Sequence, residues 1–242
     1  MSTIADRLEQ VWSRITQAAN AAGRDPASIK LLAVSKTHPV AELEAALAAG
    51  QTAFGESYLQ DALPKIEAIG NRAEWHFIGP IQSNKTRQIA AHFDWVHSVD
   101  RIKIAQRLSE QRPKELPPLN VCLQVNTSGE TAKAGIPPAD TRALAEVVNM
   151  LPHLRLRGLM TIPAREQDTA RQRQPFHQLR TLFEQLNKNG FNLDTLSMGM
   201  SDDMEAAIAE GATLLRIGTA IFGPRQAKAT HNSGEKQSSE QI

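Results

Sequence analysis

The chain has 242 residues, 41% of them in the hydrophobic set, and 27 Lys and Arg against 26 Asp and Glu leave a formal net charge of +1. Balanced, scattered charge excludes a dedicated polyanion-binding face, so no nucleic-acid partner is expected. The single cysteine, Cys122, excludes an internal disulfide and fits a reducing compartment.

The first segment reads as an amphipathic helix and not as a signal peptide. Ile4, Leu8, Val11, Ile15 and Ala19 recur at spacings of three and four, which gathers them on one helical face. Asp6, Arg7, Glu9 and Arg14 break the apolar run that a signal peptide needs. No stretch anywhere approaches the ~18 apolar residues of a membrane span. The expected location is therefore the cytoplasm, with no membrane partner. No C-x-x-C or H-E-x-x-H spacing appears, so no dedicated metal site is expected.

After the Pro26 turn, Leu31-Leu32-Ala33-Val34-Ser35 is the first strand. Pro39 opens a helix through Val40, Leu43, Ala46 and Leu47, and Gly50 closes it. Thr52-Ala53-Phe54-Gly55 is the second strand, followed by a helix over 58–69 that contains Pro64 and ends at Gly70. Trp75-His76-Phe77-Ile78 is the third strand, broken by Gly79-Pro80. Ser83 is expected to cap the helix that runs to Ala91. Trp95-Val96-His97-Ser98-Val99 is the fourth strand, and Asp100 is expected to cap a helix bearing Ile102, Ile104, Ala105 and Leu108.

Residues 121–125 form the fifth strand, near-continuously apolar as a strand covered on both faces should be. Cys122 within it is expected to be a buried, inert thiol. A helix over 141–150 follows, then a sixth strand ending Leu159-Met160-Thr161. Phe176, Leu179, Leu182, Phe183 and Leu186 mark the next helix, stopped by Gly190. Leu196-Ser197-Met198 is the seventh strand, 204–210 is helical, and Leu214-Leu215-Arg216-Ile217 is the eighth strand.

Strands alternating with helices from end to end predict an α/β fold: a single (β/α)8 TIM barrel with an extra N-terminal helix. A doubly wound open sheet is the alternative. It normally carries a Gly-rich turn after its first strand, and Ser35-Lys36-Thr37-His38-Pro39 has none. Residues 1–225 are expected to form one domain, and the polar, apolar-poor residues 226–242 a disordered tail.

In such barrels function gathers at the C-terminal ends of the strands. Lys36 follows a buried run directly, which directs its amine toward the barrel mouth. Desolvation and neighbouring cations lower a lysine pKa, and the neutral amine is the form that attacks an aldehyde. The run Ser197-Met198-Gly199-Met200-Ser201, with Gly218-Thr219 after the eighth strand, offers glycines, hydroxyls and a helix start for an anion. Asp202 and Asp203 would repel a phosphate unless they point away. Arg216 on an apolar strand needs either a structural ion pair or a ligand. His76 reads more readily as a hydrogen-bonded barrel residue than as a catalytic imidazole, and Lys85 and Lys133 read as solvated.

Ala33-Val34-Ser35-Lys36, Phe54-Gly55-Glu56, the run from Trp75 to Lys85, Gly158-Leu159-Met160, the run from Leu196 to Met204, and Arg216 to Gly223 closely resemble the pyridoxal phosphate homeostasis proteins. The likeness covers about residues 1–225, and that family is similar to the barrel domain of alanine racemase. The resemblance implies that Lys36 carries pyridoxal 5'-phosphate as a Schiff base. It implies that Ser201, Gly218 and Thr219 hold the phosphate and that Arg216 faces the pyridine nitrogen, with Ser57 and Met200 also lining the site. Ser57 departs from the family's usual asparagine. The implied function is intracellular vitamin B6 homeostasis through reversible uptake and release, without catalysis, with pyridoxal-phosphate-dependent apoenzymes as recipients; since no exposed apolar helix face stands out, a monomer is expected. With little sequence after the eighth strand, no second domain is expected to present an opposing acid or base. A small racemase-like enzyme is the alternative, and a cofactor-free Schiff-base lyase a more distant one.

Overall fold

The computed structural model describes residues 2–130, 133–166 and 168–224. Eight parallel strands close into a barrel in chain order: β1 (Lys30–Val34), β2 (Ala53–Glu56), β3 (Glu74–Phe77), β4 (Trp95–Val99), β5 (Leu119–Gln124), β6 (Leu154–Met160), β7 (Thr195–Ser197) and β8 (Leu214–Ile217). Closure is made by β8 on β1, with Leu32 opposite Arg216 and Ala33 opposite Ile217. The expected TIM barrel therefore forms, and the open sheet does not. The helices are α1 (Ile4–Ala21), α2 (Val40–Ala48), α3 (Leu59–Ile69), α4 (Thr86–His92), α5 (Ile102–Gln111), α6 (Thr141–Asn149), α7 (Thr169–Lys188), α8 (Met204–Ala209) and α9 (Thr219–Phe222).

Strand alternation divides the residues into two sets. Outward positions such as Leu31, Phe54, Trp75, Val96, Val121, Leu196 and Leu215 join the apolar stripes of the helices in one continuous core. Inward positions make only small apolar clusters, Leu32 with Ala53 and Leu214, and Trp95 with Cys122 and Met160. The remaining inward positions include His76, His97, Ser197 and Arg216, all buried. The barrel interior is thus partly polar, and each of those groups needs a partner there.

Helix α1 begins with a capping box: the Asp6 N–H donates to Thr3 Oγ1 at 3.1 Å and the Thr3 N–H to Asp6 Oδ2 at 2.8 Å. Its buried residues are Ile4, Leu8, Val11, Ile15 and Ala19, the face read from the sequence, and it packs on α2, α8 and α9.

Two expected caps are corrected. Helix α4 starts at Thr86, not at Ser83: a turn over 82–85 comes first, and the Thr86 hydroxyl donates to the Ser83 carbonyl at 2.9 Å. Asp100 does not cap α5, because its carboxylate is engaged by the Arg101 guanidinium at 3.0 Å. Arg101 then takes the cap position, and Ile102 is left exposed rather than on the buried face. Helix α9 had no periodic signal, since four residues are too few to show one. The expected tail, 226–242, lies outside the described residues.

Candidate functional site

A cavity of about 970 Å³ opens at the C-terminal ends of the strands, and Lys36, Ser57, Met200, Ser201, Arg216, Gly218 and Thr219 all line it. These are the seven residues singled out from the sequence. Lys85 and Lys133 do not line it, and Lys133 lies 3.6 Å from Glu130.

Lys36 follows β1 directly and is half-buried. The chain turns sharply after it: Thr37 has φ of 69°, a left-handed conformation unusual for a β-branched residue. The residue before it is tied down from the layer between barrel and helices. The Ser35 hydroxyl donates to Glu56 Oε1 at 2.6 Å, and Lys65 Nζ donates to both the Ser35 carbonyl at 2.8 Å and Glu56 Oε1 at 2.7 Å. Burial pushes the Glu56 carboxyl up, and the Lys65 ammonium opposes that rise. The amine-bearing residue therefore sits on a braced backbone.

On the neighbouring strand, Gly218 follows β8 and Thr219 starts α9. The first N–H groups of a helix have no acceptor within it, so this turn presents donors. Gly218 packs closely on β1: a Cβ on it would stand 3.1 Å from the carbonyl oxygen of Val34, two residues before Lys36. The loop after β7 brings Ser201 alongside. That loop is held by the Met200 N–H donating to Asp203 Oδ1 at 2.6 Å and by Arg14 Nη2 donating to the Ser201 carbonyl at 3.2 Å. Asp202 and Asp203 do not turn away from the cavity; both line it. Burial pushes the Asp203 carboxyl up, while the Met200 N–H partly offsets this.

Arg216 is buried, with Nη1 donating to Ser197 Oγ at 2.7 Å and Nη2 to the Thr161 carbonyl at 2.8 Å. No ion pair among the described residues includes it, so the structural ion pair considered from the sequence is not what forms. Burial lowers its pKa to about 10, which leaves the guanidinium charged at neutral pH. His76 is the hydrogen-bonded barrel residue expected, 2.9 Å from His97 through Nδ1.

The family model for the alanine racemase N-terminal domain matches residues 6–226. The pyridoxal phosphate homeostasis protein of Pseudomonas aeruginosa is 63% identical over 226 residues, covering 93% of this chain and 97% of that one. The chain belongs to the pyridoxal phosphate homeostasis protein family. The family member of Escherichia coli K12 is 53% identical, over 93% of this chain and 98% of its own. Among solved structures, that of PipY from Synechococcus elongatus with PLP bound superposes with a TM-score of 0.80 at 38% identity, covering 91% of this chain and all of that one.

Against that family background, Ser57 is the position where the sequence resemblance expects asparagine. Its backbone is packed tightly: a Cβ on Gly79 would stand 2.1 Å from the Ser57 carbonyl oxygen. Sequence reasoning missed Lys65, His97 and Arg14 as supports of the site, and did not pair Ser197 or Thr161 with Arg216. Each reaches its partner from a different strand or helix, so no local pattern announced them.

Proposed function

We propose that this chain holds pyridoxal 5'-phosphate in the mouth cavity as a Schiff base on Lys36 and serves intracellular vitamin B6 homeostasis by reversible uptake and release. The observation that carries the reading is the convergence on one cavity of an amine, Lys36, an anion-suited turn at Gly218 and Thr219 with the Ser201 hydroxyl, and a buried guanidinium, Arg216. Lys36, the hydroxyls and Arg216 suit the group, and of the two carboxylates that line the cavity Asp203 already accepts the Met200 N–H. The first N–H groups of the turn at Gly218 and Thr219 have no acceptor within the helix, and Thr219 and Ser201 add hydroxyl donors. Met200 and Ser57 complete the lining.

Arg216 can only donate hydrogen bonds. Placed at a pyridine nitrogen it opposes protonation of that nitrogen and weakens the ring as an electron sink. When bound, the group supplies an aldehyde that condenses with a neutral lysine amine, releasing water, and that hydrolysis frees again. Tyr58, the one tyrosine, is 55% exposed and does not line the cavity, so it supplies no acid or base there. These features, with the relatives' names and the PLP-bound PipY structure, favour storage and delivery over turnover. We assign the domain to residues 1–225, the setting to the cytoplasm, the state to a monomer and the recipients to pyridoxal-phosphate-dependent apoenzymes. No described helix is long and apolar enough to cross a membrane.

The test is mass spectrometry of the protein after incubation with pyridoxal phosphate and borohydride reduction. One added pyridoxyl phosphate on the peptide containing Lys36, lost in Lys36→Ala, is expected; a label elsewhere, or none, overturns the assignment. Deuterium exchange at the α-carbon across an amino-acid panel separates this role from a racemase-like enzyme. Appreciable exchange that depends on Lys36 would establish the enzyme.

A further inference from the structure

Arg216 does not end in the barrel wall; it heads a line of polar groups that crosses the interior. Ser197 Oγ, which accepts from Arg216, is 2.7 Å from His97 Nδ1. His97 Nε2 is 2.9 Å from His76 Nδ1. His76 Nε2 lies 3.4 Å from Glu74 Oε1, an electrostatic contact and not a hydrogen bond, and the other Glu74 oxygen pairs with Lys30. Both imidazoles are fully buried, and Trp95 stacks on His76 at 5.3 Å and 9° between planes, which fixes that ring. Ser197, His97, His76 and Glu74 come from β7, β4 and β3, so only barrel closure assembles the line.

Its two ends dictate its direction. A guanidinium can only donate and a carboxylate can only accept. Starting from Arg216, the Ser197 hydroxyl donates to His97 Nδ1, the His97 Nε2–H donates to His76 Nδ1, and the His76 Nε2–H faces Glu74. The reverse order would set a lone pair of His76 against the Glu74 carboxylate. With burial disfavouring a charge on either ring, this order makes both imidazoles neutral with their proton on Nε2. The charged groups around them agree with this. Burial lowers the pKa of both, Glu74 and Asp94 opposing it at His76, and at His97 the neighbouring His76, Arg216 and Lys30 lower it further. Burial pushes the Glu74 carboxyl up, and the Lys30 ammonium opposes that rise, which keeps this end of the line an acceptor.

We propose that His97 and His76 are positioning residues for Arg216, forming with Ser197 a one-way hydrogen-bond relay, directed toward Glu74, that fixes the orientation of the guanidinium in the cavity wall. The inference rests on the pyridoxal phosphate reading of that cavity. A guanidinium held at Nη1 by the relay and at Nη2 by the Thr161 carbonyl cannot rotate in its plane. Its remaining donors keep one direction whether or not the cavity is filled. The relay moves no proton to the ligand, because Ser197, His97 and His76 do not line the cavity.

The test has one arm without ligand and one with it. Long-range 1H–15N spectra of the ligand-free protein should show His76 and His97 as neutral Nε2–H tautomers across about two pH units around neutrality. An imidazolium, or an Nδ1–H at His97, overturns the relay. Ser197→Ala should disturb the His97 tautomer, weaken pyridoxal phosphate binding about tenfold and shift the visible band of the bound form; Ser197→Thr should restore all three. A Ser197→Ala protein that loses thermal stability but keeps wild-type affinity and spectrum overturns the positioning role. A wild-type protein with intact Nε2–H tautomers that binds no pyridoxal phosphate overturns the cofactor reading and the positioning role with it. Altered tautomers with normal binding overturn the relay alone.

Discussion

Lys65 Nζ lies 2.7 Å from Glu56 Oε1, with the two side chains 7% and 0% exposed, directly behind the backbone that presents Lys36. A buried ion pair adds little net stability, since desolvation offsets the attraction, but removing one partner strands the other. Lys65→Met should therefore cost about 3–5 kcal/mol in denaturant unfolding, and adding Glu56→Gln should recover most of it. The pH dependence follows from the raised Glu56 carboxyl. The native state holds that proton to higher pH than the unfolded chain does, so stability is greatest below the unfolded pKa and falls as pH rises through the folded one. Without Lys65 the rise is larger, so the Lys65→Met deficit should be smallest in acid and widen toward neutrality. A deficit independent of pH would show that Glu56 is not the stranded charge.

Gly79 and Gly218 make opposite predictions about where a methyl group does harm. At Gly79 the added carbon meets the Ser57 backbone oxygen at 2.1 Å, a clash that no side-chain rotation relieves. Gly79→Ala should cost about 3 kcal/mol or more, the upper part of the overpacking range, and displace Ser57. At Gly218 the contact with the Val34 oxygen is 3.1 Å, so a small shift accommodates it. Gly218→Ala should cost less than about 1.5 kcal/mol yet move the start of α9 away from β1, so pyridoxal phosphate affinity should fall more than stability does. Melting curves and equilibrium dialysis of both variants check this; the reverse ranking of stability losses would contradict it.

The barrel was legible because buried parallel strands leave short apolar runs and the helices between them leave stripes of period 3.6. Lys36 was legible for a related reason, as a charge directly after such a run, and so was Arg216 as a charge within one. What surrounds them was not. Ser197 reads as the start of the anion-binding run, and His97 as one polar residue of the fourth strand. Only when β3, β4 and β7 stand side by side do they become partners of each other and of Arg216. The caps failed differently. Ser83 and Asp100 are good cap residues in isolation, but a turn before α4 and the Arg101 guanidinium supply competing local geometry.

Cys122 points into the barrel among Trp95 and Met160 and is fully buried. Burial pushes its thiol up to about 12, and the thiolate is the reactive form. The native protein should accordingly resist disulfide-exchange reagents at pH 8 and react with one equivalent once unfolded, at a rate that reports opening of the barrel. Rapid native labelling would mean that the interior is accessible to solvent.

Arg14 ties α1 to the loop carrying Ser201. Its Nη2 donates to Glu205 Oε1 at 2.7 Å and to the Ser201 carbonyl at 3.2 Å. The ion pair is exposed, 43% on one side and 50% on the other, and exposed pairs contribute at most about 1 kcal/mol. Arg14→Ala should therefore scarcely change the unfolding midpoint. The Ser201 carbonyl, however, loses a donor that fixes the loop, and an anion site built partly from that loop depends on its placement. Inorganic phosphate should then protect the variant less against thermal unfolding than it protects the wild type, and pyridoxal phosphate should bind several-fold more weakly. Equal protection in both proteins would show that α1 supports the fold without shaping the cavity; a large drop in stability would mean that the bridge to Glu205 carries more than its exposure allows.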